Sequence, residues 1–98
     1  MAVLQIVRFR PRPDVDGARM REVNERFQRE VTPTLPGLER REGTVGEDGD
    51  EWTLVLRYRD MDSATRGPQA DTGPIAREFM SLIDMATMSA TFHTVVSE

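Results

Sequence analysis

Hydrophobic and polar positions change period several times along this chain, and each change marks an element. Val3-Leu4-Gln5-Ile6-Val7-Arg8-Phe9 is β-branched and aromatic and ends where Pro11 and Pro13 remove backbone donors, so it predicts a first strand. From Asp16 the apolar residues Met20, Val23, Phe27 and Val31 recur every three or four positions among arginines and glutamates, which predicts an amphipathic helix. Asp14 or Asp16 can cap its free amides, and Pro33 disfavours helical geometry at Thr32, so the helix runs from about residue 16 to about residue 31. Leu35-Pro36-Gly37-Leu38 then turns the chain. Glu39 to Val45 is a polar strand suited to a sheet edge, and Asp48-Gly49 supplies the positive φ of a tight hairpin. Trp52 to Tyr58 returns antiparallel, with Trp52, Leu54, Leu56 and Tyr58 on one face and Thr53, Val55, Arg57 and Arg59 on the other.

Residues 62–66 can form one or two helical turns before Gly67-Pro68. Gly73-Pro74 opens a second helix, whose apolar stripe is Ile75, Phe79, Leu82, Ile83 and Ala86. Met88 to Val96 reads as a last strand, with Met88, Ala90, Phe92 and Val96 opposed to Thr91, His93 and Val95. The order β-α-β-β-α-β is the split β-α-β plan, and right-handed crossovers place both helices on one face of a four-stranded antiparallel sheet. The expected class is therefore α+β, ferredoxin-like, with residues 1–98 as a single domain. The first strand is apolar on both sides, and one helical layer covers only one of them. Leaving Leu4, Ile6, Val55 and Val95 in water would create a patch that soluble monomers avoid. A second copy of the sheet is the simplest cover, so a two-fold homodimer with sheets packed face to face is expected.

Composition narrows the chemistry. The 98 residues carry 13 Lys and Arg against 17 Asp and Glu, a net charge of −4 that repels phosphate backbones and anionic lipid. Neither nucleic acid nor membrane is an expected partner. There is no cysteine, so disulfides, thiolate nucleophiles and Cys-ligated metals are excluded, and His93 is the only histidine. No apolar run reaches a membrane span and the start does not read as a signal peptide, which makes the cytoplasm the expected compartment. The Asp pairs 14/16, 48/50 and 60/62 lack calcium-loop spacing and are explained by turns and caps. There is no phosphate loop and no nucleophile elbow. RNA-recognition modules share the element order, but the third strand here lacks their exposed aromatics among basic residues.

The strand Val3 to Phe9, its Pro-rich exit, the turn Leu35-Pro36-Gly37-Leu38, the hairpin, and Tyr58-Arg59-Asp60-Met61-Asp62-Ser63-Ala64 together resemble the dimeric α/β-barrel superfamily, and within it the antibiotic-biosynthesis-monooxygenase type of domain. The resemblance implies a homodimer with a pocket between helices and sheet, and an activity that oxidises polycyclic aromatic or polyketide-like substrates without metal or flavin. Its haem-degrading branch needs an Asn on the first strand, where this chain has Gln5, and a His in the region 60–86, which has none. The stress-responsive branch carries a first-strand His, also absent.

For such chemistry Trp52 and Tyr58 are the candidate substrate-binding walls, each joining an aromatic body to a polar hydrogen. Asn24, at the margin of the first helix's apolar stripe, is the candidate anion donor. All three have a bland reading as well, the aromatics as core and the amide as a solvated helix residue. His93 is expected on the face away from the helices, as a structural histidine. Met61, Met80, Met85 and Met88 would give an adaptable lining, and residues 67–74 a loop over the pocket. No cofactor or metal is called for. The competing expectation is a noncatalytic dimeric module that regulates or scaffolds a pathway protein; a closed core would favour it, and an open cavity touching Trp52 or Tyr58 would favour ligand chemistry.

Overall fold

The computed structural model describes residues 1–66 and 73–98. Its sheet has four antiparallel strands in the order β2-β3-β1-β4, with β1 at Val3–Pro11, β2 at Leu38–Val45, β3 at Trp52–Tyr58 and β4 at Ile83–Thr94. Helices α1 (Gly17–Arg26), α2 (Met61–Arg66) and α3 (Pro74–Ser81) are the helical elements packed against it, which gives the expected ferredoxin-like α+β fold. Burial alternates along β1 and β3 as the sequence pattern requires. Val3, Gln5, Val7 and Phe9, with Trp52, Leu54, Leu56 and Tyr58, face the helices.

Local chemistry sets the element ends. Asp16 caps α1 by accepting from the Ala18 amide at 2.8 Å, and Met20 and Val23 are its buried residues. The helix expected to reach residue 31 stays α-helical only to Arg26. Phe27–Val31 widens into a π turn, and Thr32–Thr34 tightens into a 3₁₀ turn holding Pro33. A π turn is the usual way a helix absorbs an extra residue, and here it begins at an aromatic ring that faces the site. Gly37 then takes φ +76°, a conformation that favours glycine.

The end of the chain departs from the expected pattern. Leu82 and Ile83 satisfy a helical period, yet α3 stops at Ser81 and Ile83 already pairs with Pro11 in β4. Ala86, expected on the helix stripe, is an exposed strand residue. Between Arg8 opposite Ser89 and Arg10 opposite Asp84 the register shifts. The Thr87 hydroxyl stitches this bulge by accepting from the Arg10 amide at 2.8 Å and donating to the Asp84 carbonyl at 2.7 Å. These local bonds outweigh the helical period of the side chains.

Paired residues of antiparallel strands share a face, so the register also defines the side turned away from the helices. One row there runs Glu42, Val55, Ile6, Thr91 and the next Arg40, Arg57, Leu4, His93. Leu4, Ile6 and Val55 are half-buried, and so is Val95, whose amide bonds the Ala2 carbonyl at 2.9 Å. His93 lies on this open face as expected, its Nε2 2.8 Å from the Thr91 hydroxyl. The proposed cover loop at 67–74 falls outside the described residues over 67–72.

Candidate functional site: a cavity with a cationic end

The helical layer does not seal onto the sheet. Between them opens a cavity of about 420 Å³, inside the range of small-molecule sites. Its walls are apolar, with Phe9, Leu54 and Leu56 from the sheet and Phe27, Ala76 and Phe79 from the helices; Met80 and Met88 also line it. The Phe79 ring stands edge-on to Phe9 at 5.8 Å and tilted to Phe27 at 5.4 Å.

One end is polar. Arg41, Leu56 and Gln5 occupy one cross-strand row on the helix-facing side, and Tyr58 lies two residues beyond Leu56 on β3. Arg41, Gln5 and Tyr58 all line the cavity. Arg41 is only 4% exposed, although it sits in a strand of charged residues. The reason is parity: Arg41, Gly43 and Val45 take the inward positions of β2, while Arg40, Glu42 and Thr44 take the outward ones.

The guanidinium is fixed from two sides. Its Nη1 donates to Gln28 Oε1 and its Nη2 to Asn24 Oδ1, both at 2.8 Å. Gln28 returns a bond from Nε2 to the Arg41 carbonyl at 3.0 Å. The plane lies over the rings of Phe27 and Phe79, 4.5 and 5.6 Å from their centroids. Every one of these partners is neutral, and among the described residues no carboxylate forms an ion pair with Arg41. Burial accordingly lowers its pKa to about 10, with nearby Tyr58 acting in the opposite direction. Burial likewise raises the Tyr58 hydroxyl above its ordinary value, against the pull of Arg41.

The residues singled out from the sequence take three different positions. Tyr58 is 2% exposed and lines the cavity. Trp52 is buried on the same face but lies outside the lining, stacked on Phe9 with centroids 6.0 Å apart, so it backs the wall without forming its surface. Asn24 reaches the cavity through Arg41; its amide rests over Gly43, where an added Cβ would stand 3.1 Å from it. Arg41 and Gln5 were not singled out, although the inward parity of Gly43 and Val45 signals the first and that of Val3 and Val7 the second. Of the four late methionines, Met80 and Met88 line the cavity and Met61 and Met85 do not; Met61, Met80 and Met85 are all exposed. Among the described residues no three His, Cys, Asp or Glu side chains gather as a metal site.

No family model matches the sequence, and no curated protein matches it. Solved structures do. SnoaB, a cofactor-independent oxygenase from Streptomyces nogalater, superposes with TM-score 0.78 at 20% identity over 99% of this chain and 95% of its own. The chain shares its ferredoxin-like α+β fold with this oxygenase. A Caulobacter crescentus protein provisionally named an antibiotic biosynthesis monooxygenase gives TM-score 0.78 at 12% identity, covering 98% of this chain and 91% of its own. Rv0793 from Mycobacterium tuberculosis gives 0.69 at 23% identity, covering 100% and 98%. The resemblance read from the turn after the first helix and the segment 58–64 therefore agrees with the fold.

Proposed function

We propose that this protein binds a small, flat, aromatic molecule between its sheet and helices and oxidises it as a cofactor-independent monooxygenase. The observation that carries the reading is the open, aromatic-walled cavity of about 420 Å³ bearing Tyr58. A scaffold module has no need of such a space, since a packed core would be more stable. That SnoaB, similar in fold, is a cofactor-independent oxygenase supports the reaction type. Fold alone does not supply chemistry, so the residues must.

In the proposed reaction an activated ring methylene gives up two hydrogens and takes one atom of dioxygen as a carbonyl oxygen; the second oxygen atom leaves with those hydrogens as water. All four electrons come from the substrate. The apolar walls hold the ring and keep a dry space for dioxygen, Tyr58 presents a hydroxyl to the substrate's oxygen, and Trp52 holds the Phe9 wall from behind. Asn24 acts by orienting Arg41. We place the chain in a homodimer joined through Leu4, Ile6 and Val55, whose side of the sheet carries no helix among the described residues.

Oxygen uptake with a panel of anthrones and hydroquinones tests the reaction. Tyr58→Leu should slow it by about a hundredfold, the usual scale for losing a positioned polar group, and Trp52→Leu by less. Uptake that neither substitution changes would remove the catalytic assignment.

A further inference from the structure

The Arg41 end of the cavity is costly to build. A guanidinium taken out of water without a counter-ion loses hydration that neutral amides and ring faces return only in part. Asn24 and Gln28 fix two of its nitrogens and orient the group, yet their oxygens leave the charge in place. Beside it the Gln5 amide and the Tyr58 hydroxyl line the same cavity, and among the described residues neither is hydrogen-bonded by a protein group; neither is sealed from the cavity as an unsatisfied buried atom. Three polar heads thus open onto one end of a mainly apolar space, whose lining also includes the exposed Arg77 of α3.

We propose that the molecule bound here is an aromatic acid in its ionised form, a flat ring system carrying one oxyanion, and that Arg41 is the residue that selects the charge. This rests on the reading of the cavity as a ligand site and adds the ligand's charge and orientation to it. Carboxylate, phenolate and enolate share the required chemistry: a planar oxyanion that accepts from a guanidinium edge. The low dielectric of the phenylalanine walls strengthens that pairing. The strands of Arg41 and Gln5 flank β3, a backbone separation of about 10 Å, so a second polar group on the ring system would meet the Gln5 amide. The ring system would lie on Leu54 and Leu56 under Phe79.

Calorimetry with 2-naphthoate and 2-naphthamide, equal in shape and different in charge, tests the inference. Wild-type protein should bind the acid about ten to a hundred times more tightly than the amide, the scale of one charge-assisted bond to a buried partner. Arg41→Lys should keep most of the preference and Arg41→Met should remove it, with amide binding little changed. Arg19→Gln, which alters net charge equally at an exposed position of α1, should keep it in full. If Arg41→Met does not fold, Arg41→Gln replaces it. Equal affinities in the wild type, or a preference that survives loss of Arg41, would overturn charge selection while leaving the cavity a ligand site. Failure of both probes to bind, with no aromatic compound copurifying by mass spectrometry, would overturn the cavity reading and this inference together.

Discussion

The guanidinium of Arg41 lies 4.5 Å from the centroid of the Phe27 ring, a cation resting on an aromatic face at the point where α1 opens into its π turn. Because this charge is desolvated with no acid paired to it among the described residues, function and stability should pull apart here. Arg41→Met keeps an unbranched stem, ending short of the guanidinium, and removes the desolvation cost. Asn24 is half-buried and Gln28 exposed, so water can satisfy the oxygens that Arg41 leaves. The variant should be as stable as the wild type or up to about 2 kcal/mol more stable. Urea denaturation measures this, and a loss above about 2 kcal/mol would show that Arg41 is needed for folding instead.

Tyr58 is the only tyrosine in the chain, so ultraviolet absorbance near 295 nm titrates it without deconvolution. Burial raises its pKa, and the midpoint should lie above the ordinary value of about 10. Arg41 pulls the other way, so Arg41→Met should move the midpoint further up. The stability consequence follows by linkage. A folded pKa above the unfolded one contributes stability that is complete below about pH 10 and is lost as pH rises through the folded value. Arg41 is opposite in sign: its folded pKa of about 10 lies below the unfolded one, so stability recovers as it deprotonates above that pH. The two slopes oppose each other in the wild type, and Arg41→Met should expose the loss due to Tyr58 alone.

These predictions depend on a residue that hydrophobic patterning does not reveal. The β-branched and aromatic run Val3–Phe9 and the alternation along Trp52–Tyr58 identify the central strands, since their inward residues other than Gln5 are apolar or aromatic. On β2 the inward residues are Arg41, Gly43 and Val45, and the charge at the first hides the parity that the other two display. Asn24 could be placed at the edge of the helix stripe, but its bond to Arg41 joins residues 17 apart and has no local signature. At the other end, Leu82 and Ile83 extend a helical period into a strand. The competing instruction comes from Thr87 and Asp84, whose polar atoms bond backbone groups around the register shift.

Phe79 should be the most costly wall residue to truncate. It is 3% exposed and contacts Phe9, Phe27 and the Arg41 guanidinium. Phe79→Ala should cost about 3 to 5 kcal/mol, since an enlarged cavity beside a desolvated cation cannot collapse easily. Chemical denaturation checks the size. Phe79→Leu should recover more than half of it if packing is the cause.

Gly37 and Ser63 meet at the junction before β2. A Cβ on Gly37 would lie 2.3 Å from the Ser63 hydroxyl, and its φ of +76° is unfavourable for any other side chain. Gly37→Ala should therefore cost about 1 to 3 kcal/mol, and adding Ser63→Gly should relieve only the steric part. Ser63 is also held by Asp60, whose carboxylate accepts its amide at 2.8 Å. That bond lowers the Asp60 pKa, so its contribution is present above the ordinary carboxylate range and is lost as pH falls through the folded value. Asp60→Asn retains the acceptor without the proton, and its unfolding midpoint should fall less steeply in acid than that of the wild type.

The open side of the sheet gives the last test. Ile6 pairs with Val55 on one side and Thr91 on the other, with Leu4 two residues away, and no described helix covers this row. Each aliphatic side chain shielded there contributes roughly 1.5 to 3 kcal/mol when fully buried. Arg8, Arg40 and Arg57 border the patch, which makes a further arginine at its centre doubly unfavourable across a two-fold interface. Sedimentation at micromolar concentration should give twice the 11.1 kDa of one chain for the wild type and a single chain for Ile6→Arg. Arg41 faces the opposite side, so the Ile6→Arg monomer should keep the acid-over-amide preference if the cavity is built within one chain. Loss of that preference on dissociation would mean that the partner helps to close the site.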